Sequence, residues 1–461
     1  MPLHARRRRP ARESFRRLVN SAAGGLVLRP WFDEAALRLL TQWYFPLSRG
    51  WAAALDAHGS LERFEAALPC SRFARRLLPA ILARAQARQA ALDAANATWE
   101  RAFFGDGPAR ADVEAARLRA AGALTGLRSA LVPLHMQSSL PPVAWDIESQ
   151  ASVALRHASR LAHPERAFDD AFDLATIEPS RGFLAPHGVE GWVRCPAPAA
   201  AGAGPMWARV STPALAPGAS MAMPSLVFTH GIGMEPEFTG DGGNPLVALV
   251  GEGVRVIRPE GPWHGRRRLA GMYGGEPVLA RGPGGLLDYF QAHVIELGRL
   301  VAWARATRGG PVCLGGVSLG ALTAQLAAVA ARHWPEEMRP DALFLVAPSR
   351  SLIAVTFEGS LTRALGVPAA IRAGGWSIED LDRWRPLLEP VEAPAVPPER
   401  TLVVIGRTDD VTLTAGGEAL VQAWGLPEEN VFRARAGHFS TSLGLARNTG
   451  PFQRLLRVLR G

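Results

Sequence analysis

The sequence contains no lysine, and all 51 basic residues among its 461 residues are arginines. Because alanine is also abundant, this composition indicates a GC-rich coding bias, and the number of arginines alone indicates no function. Long apolar runs are lacking as well. None approaches the roughly 18 consecutive apolar residues of a membrane-spanning helix, so the sequence predicts a soluble, cytoplasmic protein.

Cysteine is scarce, since the chain has only Cys70, Cys195 and Cys313. The three lie far apart and form no C-x-x-C pair, which argues against a disulfide framework and against a zinc site. The sequence therefore predicts a protein of a reducing compartment that uses no metal ion and no cofactor.

The formal net charge of +9 is concentrated at the N-terminus. Residues 1–17 contain seven arginines and one acidic residue, which amounts to +6. We expect residues 1–29 to form a basic, disordered tail, with peripheral contact to anionic lipid headgroups as the alternative. No nucleic-acid-binding motif accompanies these arginines, so nucleic acid is not expected as a partner. The oligomeric state stays open.

Residues 30–178 are rich in Ala, Leu, Arg and Glu and predict a helical N-terminal region. A helix is expected over 34–57, with a kink or break at Pro46. A second is expected over 72–88, where apolar residues recur on one face. We expect that face to pack on the protein's own core, with a membrane surface as the alternative.

From residue 179 to 461 the pattern changes. This part begins with a Pro/Ala/Gly-rich passage that contains one short strand near 207–211, and short apolar runs that alternate with helical stretches follow. Alternation of this kind predicts an α/β fold with a mostly parallel sheet flanked by helices. A lid insertion is expected at about 349–399. Strands are expected at 225–231, 254–260, 311–318, 342–348, 401–407 and 431–437, and helices at 284–307 and 319–333.

One segment has the pattern of a nucleophile elbow, Gly316-Val317-Ser318-Leu319-Gly320. A predicted strand precedes it and an Ala/Leu-rich helix follows, which is the context that a G-x-S-x-G serine requires. Glycines two residues to either side leave room for a tight, strained turn. Ser318 is therefore the candidate nucleophile.

A serine hydroxyl needs a base, and the base needs an acid that holds it. In this fold the chain order is Ser, then Asp or Glu, then His. Asp409 and Asp410 follow the predicted strand at 401–407, and His438 follows the last one. Asp409, in a G-x-x-D-x-V pattern, is the preferred acid, Asp410 is its rival, and His438 is the candidate base.

Two backbone N–H groups are expected to form an oxyanion hole. One is that of Leu319, directly after the nucleophile. The other is that of Ile232, in the turn His230-Gly231-Ile232-Gly233 after the strand at 225–231. His230 and Gly231 are assigned to the same substrate-facing turn, with simple turn chemistry as the alternative.

A basic and aromatic segment, residues 258–268, is expected at the rim of the site. Within it, Trp263 and Arg266 are candidate substrate contacts, because an arginine beside the site suits a carboxylate or phosphate group. The alternative is that Arg266, Arg267 and Arg268 pair with acidic residues of the protein. His264 is expected to be a loop hydrogen-bonder.

The set HGIG, PEGPWHGRRR, GGVSLG, GRTDDV and GHFSTSLG resembles the α/β-hydrolase superfamily. Within it, the set looks like the branch related to the eighteenth α/β-hydrolase-domain-containing protein. The resemblance covers about residues 180–461 and implies a Ser318–Asp409–His438 triad that hydrolyses esters or acyl lipids. Polyhydroxyalkanoate synthases also carry a helical N-terminal part on this fold, but they have cysteine at the elbow.

The sequence thus predicts a serine hydrolase of carboxylic esters with an acyl-enzyme intermediate and a small-molecule or lipid substrate. Two alternatives stay open. An acyltransferase would use the same triad with another alcohol or thiol in place of water. A non-catalytic scaffold would use the helical half for binding.

Overall fold

The computed structural model describes residues 30–68, 70–72, 74–198, 204–214, 222–234 and 245–461. The basic tail, residues 1–29, lies outside the described residues, and so do the predictions made for it. Each helix in the described ranges is too short or too polar to cross a bilayer.

The N-terminal part of the described chain is helical. Its helices are α1 (Pro30–Leu39), α2 (Phe45–Asp56), α3 (Leu61–Ala67), α4 (Ala74–Phe103), α5 (Ala111–Thr125), α6 (Val132–Ser138) and α7 (Gln150–Ala162), with a 3₁₀ turn at Gly126–Leu131. A π-helical turn, Leu40–Tyr44, joins α1 to α2. Pro46 falls in the first turn of α2, where its missing N–H is tolerated, so the break precedes the proline.

Helix α4 includes the predicted amphipathic segment. Leu78, Ile81, Leu82 and Ala85 are buried, which is the i, i+3, i+4, i+7 spacing of one helical face. All four belong to a hydrophobic cluster that also contains residues of the sheet described below. The apolar face of α4 therefore packs on the protein's own core.

The C-terminal part is built on a 10-stranded sheet. Its strands are β1 (Glu178–Pro179), β2 (Phe183–Ala185), β3 (Gly188–Cys195), β4 (Met206–Thr212), β5 (Met223–Thr229), β6 (Arg255–Pro259), β7 (Gly309–Val317), β8 (Ala342–Val346), β9 (Thr401–Gly406) and β10 (Val431–Ala434). The order is β1-β3-β4-β6-β5-β7-β8-β9-β10, with β2 paired to β3. Pairs among β1–β4 and the β4–β6 pair are antiparallel, and the pairs from β6 to β10 are parallel.

Helices lie between these strands and after the last one. They are α8 (Val247–Gly251), α9 (Glu276–Ala280), α10 (Gly282–Arg308), α11 (Leu319–Ala330), α12 (Leu352–Glu358), α13 (Ser360–Leu365), α14 (Val367–Ala373), α15 (Ile378–Asp382), α16 (Arg385–Leu388), α17 (Thr414–Trp424), α18 (His438–Gly444) and α19 (Gly450–Arg460). Helices α12 to α16 lie between β8 and β9, where the lid insertion was predicted. The predicted α/β-hydrolase fold, a mostly parallel sheet flanked by helices with a helical N-terminal extension, is confirmed.

Both faces of the sheet are buried. Val227 of β5 belongs to the larger hydrophobic cluster and its neighbour Leu226 to a second one, because successive strand side chains point to opposite faces. The second cluster contains Phe452 of α19. The larger cluster contains both Phe45 of α2 and Leu326 of α11. The N-terminal helices and the sheet therefore share one core.

Candidate active site

Ser318 lies in the turn between β7 and α11. Its backbone has φ 57° and ψ −121°, a conformation that a non-glycine residue adopts only under strain. A Cβ on Gly320 would overlap the backbone carbonyls of Thr229 and His230, and one on Gly316 would overlap the backbone of Gly320. Glycine at both positions therefore lets β7 and α11 approach closely enough to form this turn.

Ser318, His438 and Asp409 form a hydrogen-bonded chain. The Ser318 Oγ lies 3.0 Å from the His438 Nε2. The His438 Nδ1 lies 2.9 Å from the Asp409 Oδ2. His438 and Asp409 are both buried and Ser318 is half-buried. The structure thus brings together the three residues that the chain order predicted.

The Asp409 carboxylate is held by four donors. Its Oδ1 accepts from the backbone N–H of Val411 and of Thr412, both at 2.9 Å. Its Oδ2 accepts from the Thr412 hydroxyl at 2.8 Å and from His438. Burial raises its pKa, but attraction to His438 and the hydrogen bonds from His438 and Thr412 outweigh burial, so the pKa is lowered. Asp409 is therefore ionised at neutral pH.

Asp410, the rival acid, has a different partner. Its carboxylate accepts a hydrogen bond from the Ser360 hydroxyl at 2.9 Å, and its backbone carbonyl accepts from the Ser360 N–H at 2.8 Å. Ser360 is the first residue of α13 in the insertion. Asp410 thus holds the insertion to the loop after β9, whereas Asp409 faces His438.

Thr412 was not singled out from the sequence. Its hydroxyl donates to Asp409 and lies 3.3 Å from the His438 Nδ1, so it contacts both residues. The only signal in the sequence is its place three residues after Asp409, which brings the two side chains within reach if the chain turns there.

The predicted oxyanion side lies against the nucleophile. Leu319 is the first residue of α11, and the first N–H groups of a helix have no partner within the helix. A Cβ built on Gly231 would stand 3.3 Å from the Ser318 Cβ, so the Gly231 backbone packs next to Ser318. Ile232 follows in the same turn. Leu319 follows Ser318 directly and Ile232 follows Gly231, so both predicted donors belong to segments next to the nucleophile.

His230 supports this turn rather than a substrate. The Gly261 N–H donates to its Nε2 at 3.0 Å, so the other ring nitrogen, Nδ1, carries the proton and donates to the Gly231 carbonyl at 2.8 Å. Burial lowers the pKa of His230 to about 4. A neutral, fully bonded imidazole thus ties the oxyanion turn to the loop after β6, which favours turn chemistry over substrate binding for His230.

Arg266 was predicted to contact substrate, and its observed contacts are with residues of the protein itself. Its guanidinium lies over the rings of Trp99 and Trp207, 4.1 and 4.6 Å from their centroids. Its backbone N–H donates to the Glu260 carboxylate at 3.1 Å. Through cation–π contacts with these two indoles, the guanidinium holds the loop after β6 against helix α4. These contacts fit the alternative that Arg266 binds other residues of the protein.

The two neighbouring arginines are structural as well. Arg267 forms a buried ion pair with Glu296, whose Oε1 and Oε2 lie 2.6 and 2.9 Å from its two terminal nitrogens. Arg268 donates to the Leu269 and Met272 carbonyls. Arg266, Arg267 and Arg268 therefore all make their contacts within the protein.

Trp263, the other predicted substrate contact, is only 3% exposed. Its backbone φ is 61°, and its ring packs near Tyr289 at a centroid distance of 6.4 Å within the main core. A bulky side chain held at positive φ by surrounding packing anchors the loop, which favours a structural role for Trp263 over substrate contact.

A second residue missed in the sequence, Asp33 of α1, contacts the segment that carries His438. Its carboxylate accepts hydrogen bonds from the N–H groups of Phe439 and Ser440 at 2.6 and 3.0 Å. No sequence pattern connects residues this far apart in the chain. Within the described ranges, no group of three or more His, Cys, Asp or Glu side chains is arranged to hold a metal ion.

Comparison with protein-family models and with curated proteins finds no match. Among solved structures, the chain is similar to acetyl xylan esterase from Paenibacillus sp. R4, with 14% identity over 64% of this chain and 91% of that one and a TM-score of 0.43. It is also similar to an S-formylglutathione hydrolase from Agrobacterium tumefaciens, with 16% identity, 61% and 99% coverage and a TM-score of 0.40. At these TM-scores the fold assignment rests on the chain's own strand order.

Proposed function

We propose that this protein is a serine hydrolase that cleaves carboxylic esters through Ser318, His438 and Asp409. The observation that carries the proposal is the chain of hydrogen bonds, 3.0 Å from Ser318 to His438 and 2.9 Å from His438 to Asp409, at a strained strand-to-helix turn. A nucleophile held by a base, which is held by an acid, is the arrangement that activates a serine hydroxyl.

In the first half-reaction, the Ser318 Oγ attacks the ester carbonyl carbon while His438 takes the hydroxyl proton. The N–H groups of Leu319 and Ile232 stabilise the negative charge on the carbonyl oxygen. The bond to the alkoxide oxygen then breaks, and His438 gives the proton to the leaving alcohol. An acyl-serine remains.

In the second half-reaction, water attacks the acyl-serine and gives its proton to His438. The bond to the Ser318 Oγ breaks, the Oγ recovers the proton, and a carboxylic acid leaves. Asp409, ionised because its pKa is lowered, stabilises the imidazolium that forms in both half-reactions. The balance is one ester and one water to one acid and one alcohol.

The proposal extends to acyl-lipid esters as the substrate class. Support comes from the set of motifs that resembles the branch of the eighteenth α/β-hydrolase-domain-containing protein. Hydrolysis rates on p-nitrophenyl esters of increasing chain length test this point, and activity restricted to acetate and butyrate would exclude lipids. Product analysis with and without an added alcohol acceptor separates hydrolysis from acyl transfer.

The central test is labelling with a fluorophosphonate probe, which forms an Oγ–phosphorus bond and releases fluoride. We expect the wild type to react and Ser318→Ala to lose labelling, with ester hydrolysis reduced at least roughly 1,000-fold because the nucleophile is gone. Ser129→Ala, at an exposed serine of the N-terminal region, is the matched control and keeps both activities. Labelling of Ser318→Ala would overturn the proposal.

A further inference from the structure

We propose that Asp33 is a positioning residue for His438, and that Tyr44 and Phe45, in the same segment of residues 30–56, support the oxyanion turn. This segment consists of α1, the π-helical turn Leu40–Tyr44 and α2. The proposal rests on the proposed function, because it concerns the geometry of the same triad. It gives the helical N-terminal region a role in the reaction.

The first observation is the set of bonds that Asp33 makes. One carboxylate oxygen accepts from the Phe439 N–H at 2.6 Å and from the Ser440 N–H at 3.0 Å. The other accepts from the Gly437 N–H at 3.3 Å and from the Ser440 hydroxyl. The residues on both sides of His438 are thus bonded to a single carboxylate that is 8% exposed.

These bonds define the backbone from which the His438 side chain projects. His438 is the first residue of α18, so no preceding helical turn fixes it. A Cβ on Gly437 would stand 2.5 Å from the Asp33 Cγ, so the glycine leaves the space that the carboxylate occupies. Without Asp33, the N–H groups of Phe439 and Ser440 would lose their acceptor, and donors left without a partner away from water are costly.

The second observation lies at the other end of the segment. The Tyr44 hydroxyl donates to the Gly233 carbonyl at 3.0 Å. A Cβ on Gly233 would stand 3.3 Å from the Phe45 ring, so that ring packs against the same turn. Gly233 ends the His230-Gly231-Ile232-Gly233 turn, which supplies the proposed Ile232 donor.

One continuous segment therefore contacts the segment that holds the base and the turn that holds the oxyanion donor. The π-helical turn between Asp33 and Phe45 sets the spacing of the two contacts, and π-helical turns recur at functional sites. The distance between His438 and the oxyanion turn is thereby fixed by helix geometry rather than by the loops alone.

The test measures the rate constant and the final extent of fluorophosphonate labelling for Asp33→Asn. The extent reports the folded fraction, whereas the rate constant reports the reactivity of Ser318 in each folded molecule. We expect a rate constant and a kcat on a p-nitrophenyl ester roughly 10- to 100-fold lower, since misplacement of a catalytic group by about 1 Å has effects of that size. The extent of labelling and the KM stay within about twofold.

The control is Glu34→Gln, which changes the adjacent carboxylate, 63% exposed and paired with Arg38 at the surface. It keeps the wild-type rate constant. An unchanged rate constant in Asp33→Asn, at full or reduced extent, would overturn the proposal and leave the proposed function standing. An unreactive wild type would instead refute the proposed function.

A second variant tests the proposal if the Asp33→Asn protein fails to fold. Ser440→Ala removes the hydroxyl that donates to Asp33 and accepts from the Gly437 N–H at 2.9 Å, and it keeps the carboxylate. We expect its labelling rate constant to fall about 3- to 10-fold, because one charge-assisted hydrogen bond of several is lost. A wild-type rate constant in folded Ser440→Ala would then be the result that contradicts the positioning role.

Discussion

At the level of single residues, Thr412 joins the acid to the base. Its hydroxyl donates to the Asp409 Oδ2 at 2.8 Å, and that oxygen also faces the His438 Nδ1. The carboxylate is thereby held in the orientation that directs one lone pair at the imidazole. An acid of a triad acts mainly by such orientation of the base.

We predict that Thr412→Val lowers kcat about 3- to 10-fold with little change in KM, because the acid loses one donor while the side-chain shape is kept. The pKa of Asp409 should rise, since the Thr412 hydroxyl is one of the groups that lower it. Thr98→Val, at an exposed position of α4, is the control, because it removes only a bond to the Ala94 carbonyl and a long one from Arg101. Steady-state kinetics on both variants checks the prediction, and an unchanged kcat in Thr412→Val would contradict it.

Residues of the site differ in how far the sequence predicts them. Ser318, Asp409 and His438 follow from short patterns beside strands, and the chain order predicted their meeting. Asp33 does not follow, because its partner Ser440 lies 407 residues away and only tertiary packing joins them. Arg266 has the same charge whether it binds substrate or stacks on Trp99 and Trp207, so its sequence pattern alone does not separate the two roles.

At the level of elements, the packing of α11 against the end of β5 depends on the absence of a side chain at Gly320. A Cβ there would meet the carbonyl oxygens of Thr229 and His230, which belong to backbone and are held by the sheet. Relief would require α11 to move away from β5. Because α11 begins directly after Ser318, the nucleophile would move with it.

We therefore predict that Gly320→Ala lowers the unfolding free energy by roughly 2 kcal/mol or more and lowers kcat by at least about 10-fold. Gly122→Ala is the matched control, since a Cβ there meets nothing within 4 Å in the exposed α5. That variant should be neutral or more stable by up to about 1 kcal/mol. Urea unfolding and ester hydrolysis measure both effects, and equal stability of the two variants would refute the steric argument.

Element boundaries show what apolar runs predict and what they leave open. The run at 431–437 was predicted as a strand, but β10 ends at Ala434, because the next residues turn toward α18. Pro46 was predicted to mark the break in the first long helix, yet the irregular turn lies before it, at Leu40–Tyr44. Runs of apolar residues predict that an element exists, whereas its end depends on contacts such as those of Asp33 and Tyr44.

At the level of the whole molecule, three buried histidines make stability depend on pH. Burial lowers the pKa of His230 to about 4, and it also lowers the pKa values of His264 and His293. In the unfolded chain these residues bind a proton near their ordinary pKa of 6.5. Between pH 6.5 and about 4 the unfolded state therefore binds more protons, and the unfolding free energy falls as the pH falls.

We predict that His230 alone costs about 1 kcal/mol of unfolding free energy between pH 7 and pH 5.5, a range in which ordinary carboxylates stay ionised, because folding lowers its pKa from 6.5 to about 4. His264 and His293 act in the same direction, so the urea midpoint should fall. His230→Gln should reduce the difference between the two pH values by the contribution of this one group. Equal midpoints for the wild type at pH 7 and pH 5.5 would contradict this account.

The bond between Asp33 and Ser440 has a consequence for how the chain is made. The two residues are separated by 407 positions, so at about 5–20 residues per second a ribosome needs roughly 20 to 80 s to supply the second after the first. During that time Asp33 of α1 has no histidine segment to bind, whereas α2 can already pack on the helices that follow it in the chain. The site is assembled only after the last strand has been synthesised, so nascent chains stalled before Ser440 should show no esterase activity.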